Sequence, residues 1–224
     1  MMRWRDTGFG LQVLILCGIA AGIMRTGSLL VLGAVTPGYS HLANFNSELS
    51  AREAAYQNAA TLSVYAVGVL LFLFAIGLAR WTRPSGIGLW GSLVLAAAGV
   101  AFVLIGVFPC DPGCSLQDPS PTMKAHLLAG FGGMSLQTIA MTVFGFYGRK
   151  PGEDPRIGKV SKMLGGTVVL AMAWLFAAYL GLAHLLPNPV LAQKIWTVAA
   201  DIWLLFCAVL VIRTQDTATP GGNY

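Results

Sequence analysis

Asp201 is the residue whose placement asks most directly for an explanation. It stands inside an apolar run from Leu191 to Ile212, at a depth where an acidic side chain costs roughly 2.5 to 3.5 kcal/mol on insertion scales and faces a partner or a water-filled cavity. Lys194 and Thr197 precede it by seven and four residues, on one helical face that becomes more polar toward one end. Arg25 is the candidate partner. It sits sixteen residues after Phe9 in another apolar run, about 24 Å along a helix rising 1.5 Å per residue, a depth compatible with that of Asp201. The alternative for Arg25 is a first span that stops early, with the guanidinium snorkelling to headgroups.

The three histidines, His41, His126 and His184, all fall near the same ends of the apolar runs, together with Glu48. That one-sidedness suits acid-base or ligand-binding chemistry at one membrane face. In that reading Glu48, His126 and Asp201 are the candidate catalytic groups. Arg25 is an anion site for a headgroup or oxyanion, and His184, His41 and Gln137 are candidate substrate contacts. His126, Gly130, Gly133 and Gln137 share one helical face, as do Asn58, Thr61, Tyr65 and Gly68. Such stripes line cavities or pack helices. No HxxxH or HExxH spacing is present, so no metal site is expected, and no cofactor motif appears. Haem would need His126 and His184 as paired axial ligands. Cys110 and Cys114 flank Asp-Pro-Gly and are expected to form a local disulfide in an oxidising compartment; metal binding with His126 or His41 is the alternative. Cys17 and Cys207 lie inside spans as small apolar residues.

The elements that must position these residues are transmembrane helices. Residues are 56% hydrophobic and 10% charged, with mean hydropathy +0.70, whereas about a quarter of the residues of a soluble domain are charged. Six apolar stretches, about 9–35, 55–79, 87–108, 125–147, 163–186 and 191–212, are each long enough to span the roughly 30 Å hydrocarbon core. They leave no room for a separate soluble domain. Pro and Gly punctuate the intervals, and Ser50 to Glu53 fits a capping box starting the second span. The tail 214–224 is expected to be a disordered cytoplasmic segment. The first span, preceded by Arg3 and Arg5, lacks a convincing cleavage site and reads as uncleaved.

With the N-terminus inside, ten Lys and Arg flank the spans on the inner side, against Arg52, Lys124 and Lys194 on the outer. The positive-inside rule therefore predicts an all-α six-helix bundle with both termini cytoplasmic, in a bacterial inner membrane. The basic residues form no stripe with interleaved aromatics, so nucleic acid is not an expected partner. The sequence does not set an oligomeric state.

The loop Asn46-Ser47-Glu48-Leu49, the segment Phe108-Pro-Cys-Asp-Pro-Gly-Cys114 and the following His126, in this order within six spans, resemble the bacterial membrane family catalogued as domain of unknown function 998. The family usually shows Ile before Ser-Glu-Leu, where this chain has Asn46. The resemblance covers nearly the whole chain and implies fold and topology; it names no substrate. The residues themselves point to a lipid- or amphiphile-directed enzyme or binding protein acting at the outer leaflet. A small carrier or proton-coupled transporter using Arg25 and Asp201 as a switchable pair is one alternative, although the halves share no inverted-repeat pattern. A structural subunit whose buried polar groups only hold helices together is the other.

Overall fold

The structure, a computed structural model, describes residues 8–82, 85–114, 118–182 and 188–216. Among them the elements are helical: α1 (Phe9–Val35), α2 (Gln57–Trp81), α3 (Gly86–Val107), α4 (Pro121–Phe144), α5 (Pro155–Tyr179) and α6 (Pro189–Asp216), with short 3₁₀ turns at Asn46–Ser50 and Pro112–Cys114. All six α-helices are long and apolar enough to cross a membrane.

Local start signals move several boundaries away from the apolar runs. The fifth helix begins at Pro155, about two turns before Met163, because the Asp154 carboxylate accepts a hydrogen bond from Arg156 N at 2.9 Å and Pro155 occupies the first helical position. Proline there loses no hydrogen bond, since that N–H is unpaired in any helix. The same device starts α4 at Pro121, with the Ser120 hydroxyl accepting from Met123 N at 3.1 Å. That helix ends at Phe144, short of Tyr147. The expected capping box at Ser50 to Glu53 is not one. Ser50 closes the 3₁₀ turn, Glu53 has φ 69°, and α2 starts only at Gln57. A left-handed residue cannot be the third position of a helix. Helix α6 continues past Thr214 to Asp216; the rest of the expected tail lies outside the described residues.

Each helix packs against its neighbours in the chain, and α6 closes the ring against α1. The α4–α5 seam is the least extensive of the six. Glycines set the closest crossings. A Cβ on Gly99 of α3 would sit 2.8 Å from the Gly68 carbonyl oxygen of α2, so these backbones approach as only small residues permit. Gly18 accommodates the Phe74 ring of α2, and Gly22 faces the Asp201 carbonyl and Leu205 of α6. The Gly18-x-x-x-Gly22 pair thus serves packing inside the bundle. Outward faces are apolar, with Leu128 and Leu170 more than 70% exposed.

Toward the end of the bundle where α1 begins, the interior is filled by fully buried side chains, among them Leu71, Phe74, Leu95, Phe144, Ile157 and Trp203. Phe144 and Trp203 rings lie 5.6 Å apart, and the Trp203 indole N–H donates to the Ser161 hydroxyl at 2.7 Å. Toward the other end, the one bearing the two cysteines, the interior opens into a cavity.

Candidate functional site

Helix α1 carries Arg25 into the bundle ten residues before its end at Val35, about 15 Å deep. Its guanidinium meets Asp201 of α6, with Nε donating to Oδ1 at 2.7 Å and Nη2 lying 2.5 Å from the same oxygen. The other carboxylate oxygen accepts from the Thr26 hydroxyl at 2.6 Å. On the far side, Nη1 donates to Gln137 Oε1 of α4 at 3.0 Å. Arg25 is 8% exposed, Asp201 3% and Gln137 fully buried. The cation also lies beside two rings stacked on each other, its central carbon 5.4 Å from the Phe102 ring centroid and 5.3 Å from that of Trp196. Trp196 is itself fixed by a 2.9 Å hydrogen bond from its indole N–H to the Thr138 hydroxyl. Neutralisation by a carboxylate and the quadrupoles of two rings together make a buried guanidinium tolerable.

Arg25 Nη2 is held in the ion pair with Asp201, while Gln137 Nε2 has no acceptor among the described residues. Arg25 forms part of the lining of a cavity of about 210 Å3 to which every α-helix contributes. The walls are mostly apolar, from Leu29, Val67, Phe102, Ile105, Met134 and Leu175, with hydroxyls from Ser28 and Ser63. Tyr179 of α5, at the α4–α5 seam, lines the cavity and is 49% exposed. Phe131 of α4 spans that seam, its ring 5.2 Å from those of both Phe176 and Tyr179.

His126 also lines the cavity and is 5% exposed. Its Nδ1 is 2.7 Å from the Phe108 carbonyl oxygen, which fixes the proton on Nδ1 and leaves Nε2 as the acceptor of the neutral ring. A backbone carbonyl, and not Glu48, orients this histidine.

The cysteine-bearing end is roofed by the segment between α1 and α2. Asn46 anchors it to α6. Its backbone N–H donates to Gln193 Oε1 at 2.7 Å and its side-chain amide to the Thr197 hydroxyl at 3.0 Å, while its own Oδ1 accepts from Lys194 Nζ at 2.5 Å. Lys194 also donates to the Tyr39 hydroxyl at 2.7 Å. Burial and the nearby Glu48 charge push the Tyr39 phenol up to about 12, so it stays protonated. Cys110 and Cys114 support the roof from the other side, with sulfurs 3.5 Å from the Ser47 carbonyl oxygen and hydroxyl. Their Cα atoms are 5.2 Å apart, within the range a disulfide requires, and the sulfurs are close enough to bond.

The sequence-derived candidates therefore divide. Arg25, His126, Asp201 and Gln137 gather at the cavity, the first two in its lining and the others behind Arg25. Glu48 does not join them. Its carboxylate accepts from Phe45 N at 2.7 Å and Asn44 Nδ2 at 2.6 Å, capping the 3₁₀ turn of the roof. His41 is likewise apart, packed edge-on against Tyr39 over Gly33, and His184 lies outside the described residues. The Asn58 stripe faces elsewhere too, since Gly68 packs on α3 and Tyr65 on Gly106; α2 reaches the cavity through Ser63, Val64 and Val67. Sequence reading passed over Gln193, Asn46, Phe102 and Trp196. The first had a signal, because Gln193, Thr197 and Asp201 recur every four residues on one face.

Neither a curated protein nor a solved structure matches the chain. A family model described as "Protein of unknown function (DUF998)" matches residues 19–210, and over that span, which includes Arg25, the roof, both loop cysteines, His126 and Asp201, the chain belongs to this family.

Proposed function

We propose that this chain is a multi-pass membrane protein that binds an amphiphile from the outer leaflet, drawing its polar group to Arg25 while its chain lies along the apolar wall. The carrying observation is a buried guanidinium, neutralised by Asp201, in the lining of a largely apolar cavity. Small-molecule sites combine mostly apolar walls with a few oriented polar groups in this way. A volume of about 210 Å3 is below the roughly 300 to 1,000 Å3 of sites that enclose a drug-sized ligand. It suits the polar group and adjoining part of a chain, with the remainder leaving through the α4–α5 seam into lipid. His126, which lines the cavity, is suited to exchange a proton with the bound molecule. The reading needs no metal or cofactor.

The outer position of the cavity rests on the excess of Lys and Arg at the opposite end of the bundle. The carrier alternative has less support, because apolar side chains such as Phe74, Phe144 and Trp203 fill the interior beyond Arg25. The test is to fill the cavity. Val67→Trp, checked for a normal melting profile, should reduce the lipid that co-purifies in a one-to-one complex, as read by native mass spectrometry after detergent stripping. Equal retention by wild type and variant would sink the proposal.

A further inference from the structure

Hydroxyls and the one imidazole in the cavity lining have already given their protons to the protein, and this selects what a bound molecule brings. Resting on the amphiphile reading above, we infer that the polar group received is an uncharged hydroxyl, that of a long-chain or lipid alcohol, which donates its proton to His126 Nε2.

The proton count follows from partners that can only accept. Ser28 of α1 donates to the Arg25 carbonyl oxygen at 3.1 Å, so its single proton is used, and the 2.8 Å contact between Ser63 of α2 and Ser28 is made with the Ser63 proton. Ser50 of the roof and Thr197 of α6 donate to the Ser47 and Gln193 carbonyls at 3.1 and 2.9 Å. All four residues line the cavity, and their hydroxyls are left with lone pairs only. His126 holds its proton on Nδ1, 2.7 Å from the Phe108 carbonyl oxygen, and Phe108 is not part of the lining. The polar atom that its ring offers the cavity is therefore the bare Nε2. Arg25 is committed to Asp201 and Gln137.

Three of these acceptors share one level. His126 lies five residues into α4, Ser63 six into α2, and Ser28 seven before the end of α1, all about 8 to 10 Å from the same end of the bundle. That level is roughly one helical turn nearer the roof than Arg25. A carboxylate, phosphate, ester or ether would set its own lone pairs against these acceptors and leave them unmet. An ammonium would donate, but it places a second positive charge in the apolar cavity that Arg25 already lines. An alcohol gives its proton to Nε2, keeps its oxygen lone pairs for the guanidinium side and adds no charge. The apolar wall takes its chain.

The experiment uses the full-length protein in lipid nanodiscs and three probes: decanol, its isomer methyl nonyl ether, and decane. Each is titrated in competition with a photo-crosslinkable alkyl diazirine, with concentrations corrected for partition into the bilayer. Decanol should bind about tenfold tighter than the ether, the effect of one good hydrogen bond. His126→Asn keeps an amide N–H for the Phe108 carbonyl and removes Nε2, so it should bring decanol down to the level of its isomer. A second measurement needs no variant: in protein carrying nitrogen-15-labelled histidine, the His126 Nε2 signal should move when decanol is added and stay in place with the ether. An ether that binds as tightly as the alcohol, a decanol preference that survives in folded His126→Asn, or a His126 signal responding alike to both probes overturns the inference while leaving the amphiphile reading in place. Binding of none of the three removes both.

Discussion

Replacing Asp201 with Asn tests the pairing on which the site depends. The substitution is nearly isosteric, so its effect is electrical: it leaves the Arg25 cation only 8% exposed, with neutral acceptors at the new amide oxygen and at Gln137 Oε1 and two aromatic rings beside it. Breaking a buried pair by removing one partner costs about 3 to 5 kcal/mol. For a chain of this size each kcal/mol moves the melting temperature by roughly 2 to 4 °C, so a loss of about 6 to 20 °C is expected. The double variant Arg25→Met with Asp201→Leu should recover most of that loss, because apolar residues of similar volume often replace a buried pair without penalty. Melting of all three proteins, followed by loss of the monodisperse peak on size exclusion after heating, measures both effects. A single variant melting within about a degree of wild type, or a double variant no more stable than the single, would refute the pairing argument.

Other consequences are more local. Both termini are expected in the cytoplasm, so a periplasm-dependent reporter fused after Tyr224 should be inactive; activity only outside the cell would reverse the orientation. Cys110 and Cys114 should be joined in the mature protein, giving a peptide two hydrogens lighter than its reduced form under non-reducing digestion, and recovery of two free thiols would exclude the bridge. The hydroxyl and backbone N–H of Ser120, at 2.7 and 2.9 Å, together with Arg52, hold the Asp111 carboxylate below its ordinary range. A group depressed in the folded state contributes fully above its unfolded value and loses that contribution as pH falls through the folded one. The Asp111 carboxyl carbon should therefore titrate below an ordinary aspartate in NMR, and Ser120→Ala should move its midpoint upward; an ordinary midpoint in wild type would contradict the geometry. Gly99→Leu should disrupt the α2–α3 crossing, where backbone atoms of Gly68 and Phe72 stand 2.8 Å from the added Cβ and cannot yield. Overpacking of this kind typically costs 1 to 3 kcal/mol, visible as a lower melting temperature, and an unchanged one would place the helices further apart.

Number and approximate extent of the six spans were legible in the sequence, because crossing a bilayer demands a long apolar run that no tertiary context has to supply. The polarity of Arg25 and Asp201 within such runs marked them as residues needing partners, and helical rise alone made their depths compatible. Family membership followed from the order of the loop motifs. Where helices begin was less legible. Hydropathy locates the membrane-crossing part of a helix, whereas Asp154-Pro155 and Ser120-Pro121 start α5 and α4 earlier through capping.

Only the tertiary structure decided which polar residues meet. Periodicity gives the face of a helix but not what that face is turned toward, so His126 and Gln137 reach the cavity region while the equally regular Asn58 stripe does not. Glu48 and His41 looked alike as polar residues of an outer loop, yet a loop's path depends on distant anchors. Asn46 ties it to Gln193 and Thr197, about 150 residues away in the chain, and that path turns the Glu48 carboxylate back onto its own 3₁₀ turn. The pairing of Arg25 with Asp201 and Gln137 depends on the same kind of long-range fact, since whether a donor is satisfied is fixed by the spacing of α1, α4 and α6 around it and by no property of the residue itself.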